Sequence, residues 1–171
     1  MTDERRNRIM WGIMLLVGAL GSVSLRNNPA LGITPFAVGV IQSAVFVCLM
    51  FAVRLSGWKM AALIAAVVPL CLWLQRFLDG FMIPVEMLVN LTMVGCMSLI
   101  LGKKWHYLIR AAAVAFPVFF VMLAGSCVAI RIVKEESFVR ALIVAWNMTA
   151  YSVFSILGAV AVSIPFNCKA K

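Results

Sequence analysis

Glu86 and Asn90 lie four residues apart in an otherwise apolar run, so on a helix they share one face. Arg140, Asn147, Tyr151 and Ser155 follow one another at offsets of seven, four and four, which makes a second helical stripe with Trp146 beside it. Gln75 and Arg76 form a further polar point, and the segment Arg26-Asn-Asn-Pro-Ala-Leu-Gly-Ile-Thr-Pro35 is both polar and stiff. Such groups can hold a small molecule. Carboxamides orient it, a carboxylate accepts hydrogen bonds or offsets a cation, and an indole and a phenol stack on a planar ring. They can equally bond to neighbouring helices and act as packing glue.

Other chemistries lack their parts. Glu135-Glu136-Ser-Phe-Val-Arg140 matches the short EExxxR pattern of intramembrane CAAX-protease-like enzymes. That chemistry also needs histidines on later helices, and the single histidine, His106, lies upstream. The pattern reads instead as a helix start, with acids near the positive end and Glu136 spaced for an i,i+4 pair with Arg140. Asp3 and Asp79 are the two aspartates and do not form an intramembrane pair. The five cysteines form no C-x-x-C motif, and four of them (Cys48, Cys71, Cys96 and Cys127) fall in apolar runs as small buried residues. Cys168-Lys-Ala-Lys lacks the aliphatic residues of a prenylation box. Neither a nucleophile–base constellation nor a metal-ligand cluster can be assembled, so the expectation is no enzyme and no cofactor.

The elements that carry the stripes follow from composition. Of 171 residues, 64% are hydrophobic and 12% charged, about half the charged share of a soluble domain. Mean hydropathy is +1.06. So few charges cannot cover a soluble surface of this size, and so much apolar surface excludes disorder. The expected fold class is an all-α integral membrane protein, one domain of six transmembrane helices over 1–171. Spanning about 30 Å of hydrocarbon takes about 20 apolar residues. Six runs qualify: about 9–25, 36–53, 60–78, 81–102, 107–133 and 139–164. Asp79-Gly80 reads as a tight turn between the third and fourth, and Pro165 as the stop of the last. The first run follows Arg5, Arg6 and Arg8 but ends without a small-x-small site, so it is expected to stay as a helix rather than leave as a signal peptide. The runs are apolar on every face, unlike alternating barrel strands.

Orientation follows from Lys and Arg in the short loops. With the N-terminus inside, Arg5, Arg6, Arg8, Arg54, Lys59, Lys103, Lys104, Arg110, Lys169 and Lys171 are cytoplasmic, ten of the fifteen basic residues. Asp79, Glu86, Glu135 and Glu136 fall outside. Both termini are thus expected in the cytoplasm of a multi-pass cell-membrane protein. The net charge of +9 reports this asymmetry. A nucleic-acid role is not needed, because the basic residues are spread over several short segments.

With this orientation the polar stripes collect in the outer half of the bundle. The inner half of the fourth run, Met93-Val-Gly-Cys-Met-Ser-Leu-Ile-Leu, is almost entirely apolar. A channel or proton relay would carry polar groups further across. A shallow outward-facing pocket would not. Gly18 and Ser22 on the first helix, and Ala61/Ala65 and Ala62/Ala66 on the third, have the small-xxx-small spacing that lets helices approach closely.

The length, six runs, cytoplasmic ends and polar outer half together resemble the substrate-binding (S) component of energy-coupling-factor (ECF) vitamin transporters. The resemblance is architectural and covers the whole chain. It implies capture of a vitamin or similar small molecule, with Asn27, Asn28 and Pro29 as a lid and Glu86, Asn90, Trp146, Asn147 and Tyr151 as the pocket. It further implies docking through the Gly18 and Ser22 face to a transmembrane coupling protein that works with two cytosolic ATPases. Gly18-Ala-Leu-Gly-Ser22 stands where the family has Ala-xxx-Ala. The alternative is a structural or assembly subunit of a cell-envelope or cell-shape complex with no small ligand, in which the polar stripes are helix contacts.

Overall fold

The computed structural model describes residues 3–24, 35–75, 78–103, 105–150 and 152–167. The described residues are all-helical: α1 (Asp3–Ser24), α2 (Pro35–Leu55), α3 (Trp58–Leu74), a 3-10 turn (Gly80–Met82), α4 (Ile83–Ile100), α5 (Tyr107–Lys134), α6 (Phe138–Thr149) and α7 (Ser152–Asn167). By length and composition, the helical stretches Gly80–Ile100 and Tyr107–Lys134 can cross a membrane. A third crossing is made if α6 and α7 count as one bent span. Gly39–Leu55 and Trp58–Leu74 are shorter apolar helices.

Helix ends follow local chemistry. Asp3 and Glu4 sit in the first turn of α1, where negative charge is favoured, and pair with Arg6 at 3.3 Å and Arg8 at 2.6 Å. α2 begins on Pro35, whose missing N–H costs nothing there. It ends at Ser56 and Gly57, whose amides both return to the Ala52 carbonyl at 2.9 and 3.0 Å. Gly57 has φ +91°, a conformation that glycine takes readily, and this makes the short reversal into α3 possible. His106 caps α5 by accepting from the Leu108 amide, and the buried Arg110 donates to the Lys103 carbonyl, closing the α4–α5 turn. Glu135 ends α5 in the left-handed region at φ 51°, and Ser137 caps α6 two residues on.

The helices pack around α2, which meets α1, α3, α4 and α7. The main core joins Phe46, Leu49 and Met50 of α2 to Ile64 of α3, Met93 and Met97 of α4 and Ile156 of α7. A smaller cluster joins Cys127 and Ile130 of α5 to Ala141 and Ala145 of α6. α6 therefore rests on α5 through small residues, while its outer face carries Phe138, Val139, Ile143 and Trp146. The connections run back and forth. A Cβ on Gly12 of α1 would meet Met60 and Ser56, and Trp58 of α3 borders the same groove as Leu99 of α4. This gathers Arg54, Lys59, Lys103 and Arg110 at one end of the bundle.

Two expectations change. The last run is not one helix: α6 and α7 are bent by 44° at a short break. The chain there has neither Pro nor Gly. Thr149 bonds back to the carbonyls of Ala145 at 2.9 Å and Trp146 at 3.5 Å, a competition with the helix ladder of the kind that bends helices. The stripe Arg140–Asn147–Tyr151–Ser155 is consequently not continuous. Secondly, Pro165 lies inside α7 and does not stop it, since the helix runs on to Asn167.

Candidate functional site

Polar side chains on α2 and α7 meet in a seam. Gly39, Gln42 and Ser43 share a face of α2. The Ser155 hydroxyl donates to the Gly39 carbonyl at 2.9 Å, and the Ser43 hydroxyl to the Ser155 carbonyl at 3.0 Å. The Ser152 hydroxyl donates to Gln42 Oε1 at 3.1 Å. The approach is close, because a Cβ on Gly39 would lie 3.3 Å from Ser155 Oγ. Small residues that let backbones approach, with hydroxyls bonding across, are how helices hold together without water. Gln42, Ser43 and Ser152 did not stand out in the sequence. The detectable signal is the small-residue spacing Gly39-xxx-Ser43 facing Ser155-xx-Gly158.

Asn90 is also a packing residue. It is buried, and its side-chain amide donates to the Ala65 carbonyl on α3 at 3.3 Å. Thr92 and Ser98 bond to carbonyls of their own helix at 2.7 and 2.8 Å. Glu86 stands in the first turn of α4, half-buried. Arg140 in the first turn of α6 pairs at 3.3 Å with Glu136, which lies just before the Ser137 cap, and is exposed.

An apolar cleft of about 500 Å³ opens between α5, α6 and α7. Ala111, Ala112 and Ala115 recede on α5, and Phe116 and Phe119 rise beside them. Trp146 of α6 forms the facing wall, with Val153, Ile156 and Leu157 of α7 behind. Trp146 meets Phe119 edge-on, with ring centroids 6.1 Å apart and planes at 86°. This geometry suits the ring quadrupoles.

Of the residues expected to bind a ligand, the cleft takes in Trp146 and not Glu86, Asn90 or Asn147. Asn147 is exposed on α6, one turn before the break. Asn27, Asn28, Pro29 and Tyr151 lie outside the described residues. The cleft uses the half of α5 that starts from the basic end, not the half in which a pocket was expected. The described residues that line it there are all apolar.

On the expected docking helix, Gly18 lies beside α2, where a Cβ would touch Cys48 Sγ at 3.6 Å, and remains exposed. The Ser22 hydroxyl bonds to the Gly18 carbonyl at 2.8 Å. Gly21 next to it faces open space. Among the described residues no group of His, Cys, Asp and Glu is placed to hold a metal ion. No protein-family model matches the chain, and neither a curated protein nor a solved structure shows significant similarity to it.

Proposed function

We propose that the chain is a six-span membrane protein with both termini cytoplasmic, and that it captures a vitamin-like small molecule for an importer of the energy-coupling-factor kind. The observation that carries this reading is the interrupted last span. Backbone that leaves the helix at membrane depth is tolerated where it is buried or lines a cavity, and transporters place substrate sites beside such breaks. Here the break separates two helices with different neighbours. α7 is tied to α2 by Ser152 and Ser155. α6 rests on α5 through Ala141 and Ala145 and carries Trp146 and Asn147 just before the break.

In this proposal α6 is the adjustable wall. Trp146 stacks on the ligand and Asn147 orients it, while Glu86 accepts hydrogen bonds or offsets a cationic group. Asn27, Asn28 and Pro29 close the site from the loop before α2, and Tyr151 completes it at the break. The collection of Arg54, Lys59, Lys103 and Arg110 at one end supports the cytoplasmic assignment of that end. A coupling protein with two cytosolic ATPases would then use the Gly18 and Ser22 face of α1, beside which Gly21 opens onto free space. The test is thermal stabilisation of the purified protein across water-soluble vitamins. One compound is expected to raise Tm, and less so in Asn147→Ala. No shift from any vitamin, or an unchanged shift in Asn147→Ala, refutes the assignment.

A second reading, a structural subunit of a cell-envelope complex, is favoured by one specific observation. Asn90 and Ser155 are both spent on bonds between helices. Pull-down in mild detergent separates the two. Recovery of ATPases supports capture, and recovery of scaffold proteins supports assembly.

A further inference from the structure

We propose that the cleft between α5, α6 and α7 is a binding site for one acyl chain of a membrane phospholipid. The argument begins with lining chemistry. Every described residue that lines the cleft is Ala, Val, Leu, Ile, Phe or Trp. A polar molecule placed against them would lose water and gain no partner among them, at a cost of about 2–7 kcal/mol for each unpaired polar group. An alkyl chain has nothing to satisfy.

Position supplies the second argument. The recess is cut into the flank of α5, a helix long and apolar enough to cross a membrane. Its rim residues Phe116 and Leu157 are 73% and 50% exposed, so the mouth opens sideways, toward hydrocarbon. Shape supplies the third. Three alanines make the hollow, Ile156 at 1% exposure makes the floor, and the Phe119–Trp146 pair stands at one side. Flat lipid-facing helix surfaces meet chains that exchange freely. A recess of about 500 Å³ lets one chain gain dispersion contact on several sides at once. Occupancy by phospholipid goes beyond substrate capture and does not rest on it, so a failed vitamin screen leaves it intact.

The test uses the full chain in phosphatidylcholine nanodiscs containing a small fraction of phosphatidylcholine with a mid-chain diazirine. After irradiation, adducts are mapped by peptide mass spectrometry. Label is expected to concentrate on residues 111–119 and Trp146, severalfold above that at the exposed Ile132 and Phe154. Ala115→Phe fills the hollow and is expected to cut the cleft label severalfold without changing the label at Ile132. If Ala115→Phe does not fold, Ala112→Leu makes the same comparison with a smaller intrusion. Label spread evenly over exposed helix faces, or undiminished in the filled variant, overturns the proposal. So does p-benzoylphenylalanine in place of Phe116 that crosslinks to a second polypeptide instead of to lipid.

Discussion

The side-chain amide of Asn90 reaches across to the Ala65 carbonyl at 3.3 Å, tying the middle of α4 to the middle of α3. One N–H of this side chain is thus committed to packing. Asn90→Ala is therefore expected to act on stability, lowering it by about 0.6 kcal/mol and by no more than about 1.7, the average and the maximum for interhelical hydrogen bonds in membranes. Thermal unfolding in detergent measures this. The affinity for any stabilising vitamin should stay within about twofold of the parent protein.

The seam between α2 and α7 is less forgiving. Gly39→Val puts bulk against Ser155 Oγ, which a Cβ alone would approach to 3.3 Å. Forcing these helices apart is expected to cost about 1–3 kcal/mol. Ser155→Ala, which removes one donor without adding bulk, should cost about 1 kcal/mol or less. The two residues touch, so the double variant should depart from additivity in the same unfolding assay.

Trp146 has two roles that separate by substitution. Trp146→Ala removes its edge contact with Phe119 and is expected to lower stability by about 0.5–1.5 kcal/mol. Trp146→Phe keeps an aromatic edge and should recover most of that loss. If Trp146 also stacks on a ligand, Trp146→Ala abolishes the vitamin-induced Tm shift and Trp146→Phe retains part of it.

Glycines on open surface report on partners. A Cβ on Gly21 or Gly95 meets nothing within 4 Å. Gly95→Ala should leave the fold unchanged or stabilise it by up to about 1 kcal/mol, through the higher helix propensity of alanine. Gly21→Leu should fold as well as the parent but fail to co-purify a coupling protein. Unaltered recovery of that protein removes α1 as the docking helix.

Sidedness is checked by labelling in intact cells. In a cysteine-free background, a membrane-impermeant maleimide is expected to modify Glu135→Cys and to spare Lys103→Cys until the cells are opened. The reverse pattern inverts the orientation.

The helices were legible because long apolar runs separated by charged or turn residues have one economical solution in a bilayer. The i,i+4 pairing of Glu136 with Arg140 was legible for the same local reason. The break before Ser152 was not, because neither Pro nor Gly marks it. Pro165 misled in the opposite sense: it lies inside α7, just as Pro69 and Pro117 lie inside α3 and α5, whose runs were read straight through them. The polar residues could be found from sequence but their partners could not. Asn90 and Ser155 are matched to carbonyls 25 and 116 residues away, at Ala65 and Gly39, and periodicity within one helix carries no information about which neighbour it faces.

The 28 residues of α5 imply a length of about 42 Å at about 1.5 Å per residue, against about 30 Å of hydrocarbon. Such an excess is relieved by tilting, and the tilt grows as the membrane thins. α6 leans on α5 through Ala141 and Ala145, and α7 packs on α5 as well as being hydrogen-bonded to α2. In a bilayer that α5 crosses, a change in thickness would therefore bear through α5 on both halves of the last run.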